Sequence, residues 1–199
     1  MATRSLRLSP RKVVVFEGLD KAGKSTQLEL LKARVEKECA SFAHMPSGCT
    51  PFTQGLYHVL EHEPPSSGLA RQLAHLACHC ENMPKLVQAA ESRTLVLDRW
   101  WWSTMAYGWY GGDMKQTGIS EAAFRELIGR IWAPVTASKV FLFLTPHEED
   151  PNNVDGVAQG YRELAAQQPG IAIVIPKMST TATHEYIVSE LRRAGIAEA

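Results

Sequence analysis

A glycine-rich segment near the amino terminus constrains the fold of this chain more than any other feature does. Residues 18–25 read GLDKAGKS and match the pattern G-x-x-x-x-G-K-[S/T]. An apolar run at residues 12–16 precedes the segment, and a helical pattern begins at Lys24. This order of strand, loop and helix is the context in which such a segment binds phosphate groups. The sequence therefore predicts a nucleotide site at the end of the first strand.

The residues of this loop have separate predicted roles in binding ATP and its metal ion. Glycine lets backbone N–H groups turn toward the phosphates, and the amino terminus of the following helix adds a positive end. Lys24 is expected to reach the β- and γ-phosphates, and the Ser25 hydroxyl is expected to bind Mg²⁺. The full set predicted to bind ATP is Gly18, Ala22, Gly23, Lys24, Ser25 and Thr26.

A second polar pair, Asp98 and Arg99, directly follows the apolar run at residues 94–97. The carboxyl ends of parallel strands meet at the edge of the sheet where ligands bind. We therefore expect Asp98 to hold Mg²⁺, directly or through water, and Arg99 to grip an acceptor phosphate as a bidentate fork. The alternative is a structural salt bridge, which the position beside a phosphate-binding loop disfavours.

Apolar, β-branched runs alternate with helical patterns along the chain. Strands are predicted at 12–16, 41–44, 94–97, 140–144 and 171–175. Helices are predicted at 24–39, 54–60, 69–88 with an interruption or bend near Pro84, 119–132, 154–166 and 183–194. This alternation is typical of an α/β fold of the P-loop NTPase type, in which helices cover both faces of a five-stranded parallel sheet.

Composition narrows the classes of partner. The 199 residues include 21 Lys or Arg and 21 Asp or Glu, so no global field directs the chain to nucleic acid or membrane. No apolar run reaches the length of a membrane span. We interpret residues 1–199 as one kinase domain with a basic extension at 1–11. That extension lacks the apolar core of a signal peptide, so a cytoplasmic protein is expected.

Three segments resemble the thymidylate kinase family. Residues 16–27, FEGLDKAGKSTQ, are similar to its P-loop, and residues 46–51, PSGCTP, look like its E-P-G-G-T-P turn. Residues 97–100, followed by Ser103 and the pair at 106–107, resemble its D-R-Y-x-x-S-x-x-A-Y stretch. The resemblance spans most of the chain. It implies ATP with Mg²⁺, a deoxynucleoside monophosphate as the nucleotide acceptor, and a homodimer.

The resemblance also assigns roles to residues around the acceptor. Asp20 looks like the carboxylate that touches the sugar 3′-hydroxyl. Lys21 looks like a cation that some members carry in the P-loop instead of in the lid. Arg99 resembles the arginine that contacts the acceptor phosphate, and Ser103 and Tyr107 fall where the family lines the nucleoside pocket.

The chain departs from the family pattern around the acceptor. His44 stands where an arginine usually precedes the turn, and His79 with Cys80 stands where a second arginine faces the base. Gly108 follows the A-Y pair, where glutamine is frequent. A neutral histidine donates one hydrogen bond where arginine offers five donors. We therefore expect His44, His79 and Cys80 to contact the acceptor, and plain dTMP to be used less well than a 5-hydroxymethyl pyrimidine.

The lid that the resemblance implies, at residues 145–155, is short. No Lys or Arg occurs from residue 145 to residue 161, so Lys21 is expected to supply the cation of the transition state. The predicted catalytic set is Lys21, Lys24, Asp98 and Arg99.

Three consecutive tryptophans follow this arginine. Aromatic rings of this size stack readily on planar ligands. We expect Trp100, together with Tyr107, to form a wall of the acceptor pocket, while the other tryptophans fill the core or an interface.

Three functions stay open on these grounds. The first is thymidylate kinase-like phosphoryl transfer to a deoxynucleoside monophosphate, including a modified pyrimidine. The second is phosphorylation of a hydroxymethylated base within DNA, for which a reduced lid leaves room. The third is a nucleotide-binding module without transfer activity. The presence of Lys24, Ser25, Asp98 and Arg99 argues against the third function, and the neutral composition argues mildly against the second.

Overall fold

The computed structural model describes residues 5–198, and a five-stranded parallel sheet with the order β2-β3-β1-β4-β5 runs through its centre. The chain passes from β1 outward to β2, returns to β3, and then crosses to β4 on the other side of β1. The carboxyl end of β1 therefore lies where the winding direction changes, which is the usual ligand site of such sheets. The strands are β1 (Val13–Gly18), β2 (Ala40–His44), β3 (Thr94–Asp98), β4 (Lys139–Phe143) and β5 (Ala172–Val174).

Helices cover both faces of the sheet, which confirms the predicted fold class. Within the described residues, none of these helices combines the length and the apolar character that crossing a bilayer requires. A short 3₁₀ helix, Met114–Gln116, precedes α5. The helices are α1 (Lys24–Arg34), α2 (Pro51–His62), α3 (Gly68–Ser92), α4 (Trp101–Ser103, continued by a π-helical segment Thr104–Tyr110), α5 (Glu121–Trp132), α6 (Asp155–Gln167) and α7 (Thr180–Arg193).

Two helices differ most from the prediction, whereas the ends of the other predicted helices lie within three residues of it. α1 ends at Arg34 rather than at Cys39, because Val35 adopts extended backbone and forms a parallel bridge with Leu6. α3 runs without interruption through Pro84. Its buried face continues on both sides of the proline, and packing of that face outweighs the one backbone hydrogen bond that proline cannot make.

The described part of the amino-terminal extension, residues 5–11, packs against the rest of the molecule, whereas residues 1–4 lie outside the described part. Leu6 and Leu8 are buried in the hydrophobic core. Leu6 bridges to Val35, and Leu8 forms an antiparallel bridge with Ala197 near the carboxyl terminus. The basic residues of this segment therefore flank an apolar anchor.

A fully buried carboxyl group, that of Glu17, joins β1 to α4 and α6. Its Oε1 accepts hydrogen bonds from the backbone N–H groups of Trp100 (2.7 Å) and Ser103 (3.0 Å). Its Oε2 accepts from the hydroxyls of Ser103 (2.7 Å) and Tyr161 (2.9 Å). Burial raises the pKa of Glu17, and the nearby Arg99 and these hydrogen bonds oppose that shift. The carboxyl group thereby fixes the start of α4, a helix that the sequence analysis did not predict.

A second buried polar contact joins α3 to α5. The indole Nε1–H of Trp132 donates to Nδ1 of His79 at 3.2 Å, and the two rings meet edge to face with centroids 5.3 Å apart. Burial lowers the pKa of His79 to about 3. The imidazole is therefore neutral at pH 7. Because the indole N–H of Trp132 can only donate, Nδ1 of His79 is the acceptor, and the proton of His79 resides on Nε2.

His79 should make the stability of the fold depend on pH. The unfolded chain binds a proton on this histidine below about pH 6.5, whereas the folded protein does not until about pH 3. Its contribution to stability is thus complete above pH 6.5 and is lost as the pH falls. Between pH 7 and pH 5 this one group should lower the free energy of unfolding by about 2 kcal/mol. Urea denaturation followed by tryptophan fluorescence measures the change.

The variant His79→Gln keeps a hydrogen-bond acceptor for Trp132 but removes the titrating group. Between pH 7 and pH 5 the free energy of unfolding of this variant should fall by about 2 kcal/mol less than that of the wild type. His58→Gln, at an exposed position of α2, is the control for loss of a histidine. Equal pH dependence in His79→Gln and the wild type would show that the folded protein accommodates a charged His79.

Candidate active site

A cavity of about 1060 Å³ opens at the carboxyl ends of β1 and β3. The phosphate-binding loop forms one side of it, and α3 and α4 form the other. All of the predicted site residues line this cavity except Gly18 and Cys80. The structure therefore brings together residues from the loop, the end of β3 and the start of α4 that are distant in the sequence.

The phosphate-binding loop is tightly folded around the buried side chain of Lys24. The ammonium group donates to the carbonyl oxygens of Gly18 at 3.1 Å and Leu19 at 2.6 Å. Burial lowers the pKa of Lys24 to about 8, and the charge of Arg99 acts in the same direction. A Cβ atom at Gly18 would lie 2.0 Å from the carbonyl oxygen of Phe143. Glycine is therefore required where the loop leaves β1.

Arg99 holds a central position in the cavity and has left-handed backbone, with φ at 70°. Its guanidinium pairs with the carboxylate of Asp20 and donates to Ser103 Oγ at 3.0 Å. It also lies over the ring of Tyr107, 5.3 Å from the centroid. These contacts leave the guanidinium oriented by three neighbours beside the phosphate-binding loop. Asp20, Arg99, Ser103 and Tyr107 thus form one connected group.

Asp98 and His44 are paired in register on the neighbouring strands β3 and β2. The Oδ1 atom of Asp98 is buried and has no hydrogen-bond partner within residues 5–198. His44 Nδ1 lies 2.8 Å from the hydroxyl of Ser47. Burial lowers the pKa of His44, so this ring is neutral at pH 7. The wall formed by β2 therefore contributes a neutral polar ring to the cavity.

The segment between β4 and α6, which corresponds to the predicted lid, contacts the loop directly. The Asn153 amide donates to the carbonyl of Asp20 at 2.8 Å and accepts from its N–H at 2.9 Å. The ammonium of Lys21 donates to the carbonyl of Glu149 at 3.2 Å and lies 3.6 Å from the Glu148 carboxylate. Asn153 was not among the predicted site residues, although asparagine is a strong turn residue and this one lies in the predicted lid.

One face of α3 forms the wall opposite the loop. Arg71, His75 and His79 are spaced four residues apart and all line the cavity, together with Gln72. Cys80 is exposed and does not line the cavity, because the next residue on a helix lies about 100° around its axis. The helical spacing from His79 back to His75 and Arg71 was the signal that would have found the other two.

The three tryptophans divide as expected. Trp100 is buried and lines the cavity, whereas Trp102 is fully buried in the core and Trp101 is partly exposed. The indole N–H of Trp100 has no hydrogen-bond partner within the described residues. Its ring packs edge to face against Trp132, with centroids 6.1 Å apart. Trp100 therefore offers the cavity both an apolar surface and a buried donor.

A smaller cavity of about 140 Å³ adjoins the large one behind the loop. Both cavities are lined in part by Ala22, Gly23, Thr26 and His147. The remaining wall comes from the end of β4 and from residues 175–180. Two compartments thus meet at the phosphate-binding loop, and Lys24 and Arg99 contribute positive charge to the wall of the larger one. Such an arrangement suits two anionic ligands held end to end.

Comparison with known proteins shows which family the chain resembles. A family model described as thymidylate kinase matches residues 16–123. Thymidylate kinase of Neorickettsia sennetsu is 30% identical over 189 residues, which are 88% of this chain and 91% of the relative. Thymidylate kinase of Helicobacter acinonychis is 38% identical over 96 residues, which are 47% of this chain and 48% of the relative.

Solved structures with the same fold include two thymidylate kinases. That of Ehrlichia chaffeensis superposes with a TM-score of 0.74 at 21% identity, covering 91% of this chain and 98% of the other. The thymidylate kinase of Candida albicans superposes with a TM-score of 0.65 at 17% identity, covering 98% of this chain and 96% of the other. The fold, the matched family model and the relative aligned over most of both chains agree. This chain therefore belongs to the thymidylate kinase family.

Proposed function

We propose that this protein transfers the γ-phosphate of ATP to the 5′-phosphate of dTMP and releases ADP and dTDP. The observation that carries the proposal is that Lys24 of the phosphate-binding loop and Arg99 at the end of β3 line one cavity. Membership of the thymidylate kinase family supports the same reaction. The relatives favour neither a hydroxymethylated base within DNA nor a role without catalysis, and because they are thymidylate kinases we propose dTMP rather than the 5-hydroxymethyl pyrimidine expected from His44 and His79.

ATP is assigned to the side of the phosphate-binding loop. Backbone N–H groups from Gly23 to Thr26, at the start of α1, point toward the phosphates, as at other helix amino termini. The Lys24 ammonium leaves the loop carbonyls to contact the β- and γ-phosphates, whose charge keeps it protonated. The smaller cavity, of about 140 Å³, adjoins this end of α1 and receives the base of ATP.

The acceptor is assigned to the side of α3 and α4. Arg99 binds its phosphate, and Asp20 lies on the same guanidinium, where it can accept a hydrogen bond from the sugar 3′-hydroxyl. Trp100 and Tyr107 flank the nucleoside. An oxygen of the acceptor phosphate attacks the γ-phosphorus while the bond to the β–γ bridging oxygen breaks. The residues contribute position and charge and take no covalent part.

A divalent cation fits the same corner. The unpartnered, buried Oδ1 of Asp98 is an oxygen donor of the kind that Mg²⁺ prefers, and the exposed hydroxyl of Ser25 stands at the start of α1. Ser25 and Asp98 would hold the ion, Asp98 directly or through water. When bound, Mg²⁺ supplies charge neutralisation at the phosphate oxygens.

Lys21 is assigned the role that a lid cation has in other kinases. Its side chain lies at the mouth of the loop, and Glu148 and Asp150 of the lid lie within 3.6 Å and 3.9 Å of its ammonium. The lid itself contributes no Lys or Arg. We infer that Lys21 moves from these carboxylates to the transferring phosphoryl group when ATP binds, because the greater charge of the phosphates attracts it more strongly than a single carboxylate does.

Assembly and location are part of the proposal. Phe52 and Val59 lie seven residues apart on α2, and Leu73 lies on the adjoining α3; all three are about half exposed. Such a patch supports the homodimer that the family resemblance implied. A cytoplasmic location stays a prediction.

The proposed acceptor is tested by steady-state kinetics with dTMP, dUMP, 5-hydroxymethyl-dUMP, dCMP, dGMP and an oligonucleotide carrying the modified base. The value of kcat/KM should be highest for dTMP. A preference of tenfold or more for the oligonucleotide or for 5-hydroxymethyl-dUMP, about 1.4 kcal/mol of discrimination, would reject dTMP as the natural acceptor.

Lys24→Ala should lower kcat by at least about 100-fold, because it removes a charge that the transition state needs. Circular dichroism should show the wild-type helix content. Lys32→Ala, at an exposed position of α1, is the matched control and should retain full activity. Near-normal turnover by the Lys24 variant would contradict the assignment of the phosphate-binding loop.

Lys21→Ala should lower kcat by about 10³-fold or more while changing the KM for ATP much less. Lys32→Ala again controls for loss of a lysine. Single-turnover kinetics distinguish slower transfer from slower product release. A rise in the KM for ATP with unchanged kcat would identify Lys21 as a residue that only binds ATP.

A further inference from the structure

The side chain of Gln72 is buried in the cavity wall without a partner for its carbonyl oxygen. The residue lies on α3, lines the large cavity and is 7% exposed. Its Oε1 has no hydrogen-bond partner within residues 5–198. A buried amide oxygen that stays unpaired costs free energy comparable to a lost hydrogen bond. Since Gln72 lines a ligand cavity, a rotation of its carboxamide would bring this oxygen to a ligand that supplies the partner.

Gly108 provides the space in which the Gln72 carboxamide lies. A Cβ atom at position 108 would lie 2.6 Å from Cδ and 2.8 Å from Oε1 of Gln72. No side chain can occupy that position while Gln72 keeps this conformation. Because Gly108 of the π-helical segment has no side chain, the carboxamide of Gln72 on α3 can pack against that segment.

The position of Gln72 matches the far end of a nucleotide bound at Arg99. His79, His75 and Gln72 follow one another along α3 at spacings of four and three residues, so they form one stripe on the cavity side. His79 is close to Trp100 through their shared neighbour Trp132. Arg99 lines the same cavity, so a nucleotide whose phosphate contacts Arg99 can extend along this stripe with its base toward Gln72.

The polar groups on this wall match a base rich in carbonyl groups. The neutral His79 has its proton on Nε2, and Trp100 presents an unpartnered indole N–H, so both are donors. The Gln72 amide offers one acceptor and one donor side by side. Uracil-type bases present carbonyl, N–H and carbonyl along one edge. Cytosine carries an amino group, which is a donor, at the position where uracil-type bases carry the 4-carbonyl. The donors on the wall therefore disfavour cytosine.

We propose that Gln72 is the specificity-determining residue for the acceptor, and that its carboxamide hydrogen-bonds the N3–H and C4=O edge of a 4-oxo-pyrimidine nucleotide. This inference rests on the proposed function. Gly108 is its positioning partner, because only glycine leaves room for the amide. Because a carboxamide can also turn to pair with the N4 amino group and N3 of cytosine, selection of dTMP over dCMP is assigned to Gln72 together with the donors of His79 and Trp100.

The test compares Gln72→Met with the wild type on dTMP, dCMP and 2-deoxyribose 5-phosphate, which has no base. Methionine has similar volume but cannot make the paired hydrogen bonds. The KM for dTMP should rise about 10- to 100-fold with little change in kcat, and the preference for dTMP over dCMP should shrink by a similar factor. Turnover of 2-deoxyribose 5-phosphate should not change. Gln88→Met, at an exposed position of the same helix, is the matched control.

A second variant perturbs the same contact without altering Gln72. Gly108→Ala should displace the carboxamide and reproduce the loss of base preference, and Gln72→Met with Gly108→Ala should be no worse than either alone. Thermal unfolding establishes that each variant is folded. If folded Gln72→Met keeps the wild-type ratio of kcat/KM for dTMP to kcat/KM for dCMP, this inference is overturned while the proposed function stays intact. A wild-type protein that phosphorylates no nucleoside monophosphate overturns both.

Discussion

The buried carboxyl group of Glu17 is the contact on which the geometry of the site depends. Placing a carboxyl group in the core is costly unless hydrogen bonds replace its hydration. Here the donors come from Trp100, Ser103 and Tyr161, so satisfying Glu17 requires that α4 start directly beside β1 and that α6 pack over both. Arg99 lies between the strand and this helix. Its left-handed backbone and its orientation toward Asp20 follow from that constraint.

The P-loop and the Asp98–Arg99 pair could be predicted from the sequence because their chemistry is local. Strand, loop and helix are contiguous there, so spacing alone locates the groups at the sheet edge. The wall formed by α3 could not be predicted in the same way. Its cavity residues, Arg71, Gln72, His75 and His79, lie in a helix that was predicted, but which face of that helix lines the cavity depends on how α3 packs against α2 and α5.

The contribution of α4 was missed for a different physical reason. Three tryptophans followed by small residues carry no helical period, and the helix exists because Glu17 accepts the N–H groups at its start. Asn153 was missed similarly, since its function depends on the lid folding back onto Asp20. In each case a tertiary contact decides the local structure, and such contacts leave little trace in a single sequence.

The close approach of Gly108 and Gln72 has a consequence for how the pocket can change over time. With a Cβ at 108 only 2.6 Å from the amide carbon, a side chain gained at 108 displaces the Gln72 carboxamide unless residue 72 has already become smaller. A smaller residue at 72, in turn, leaves a gap that glycine cannot fill. The two positions can therefore exchange roles only through an intermediate that is either overpacked or hollow. Because each position depends on the other, we expect the residues at 72 and 108 to change together when this wall of the cavity is rebuilt.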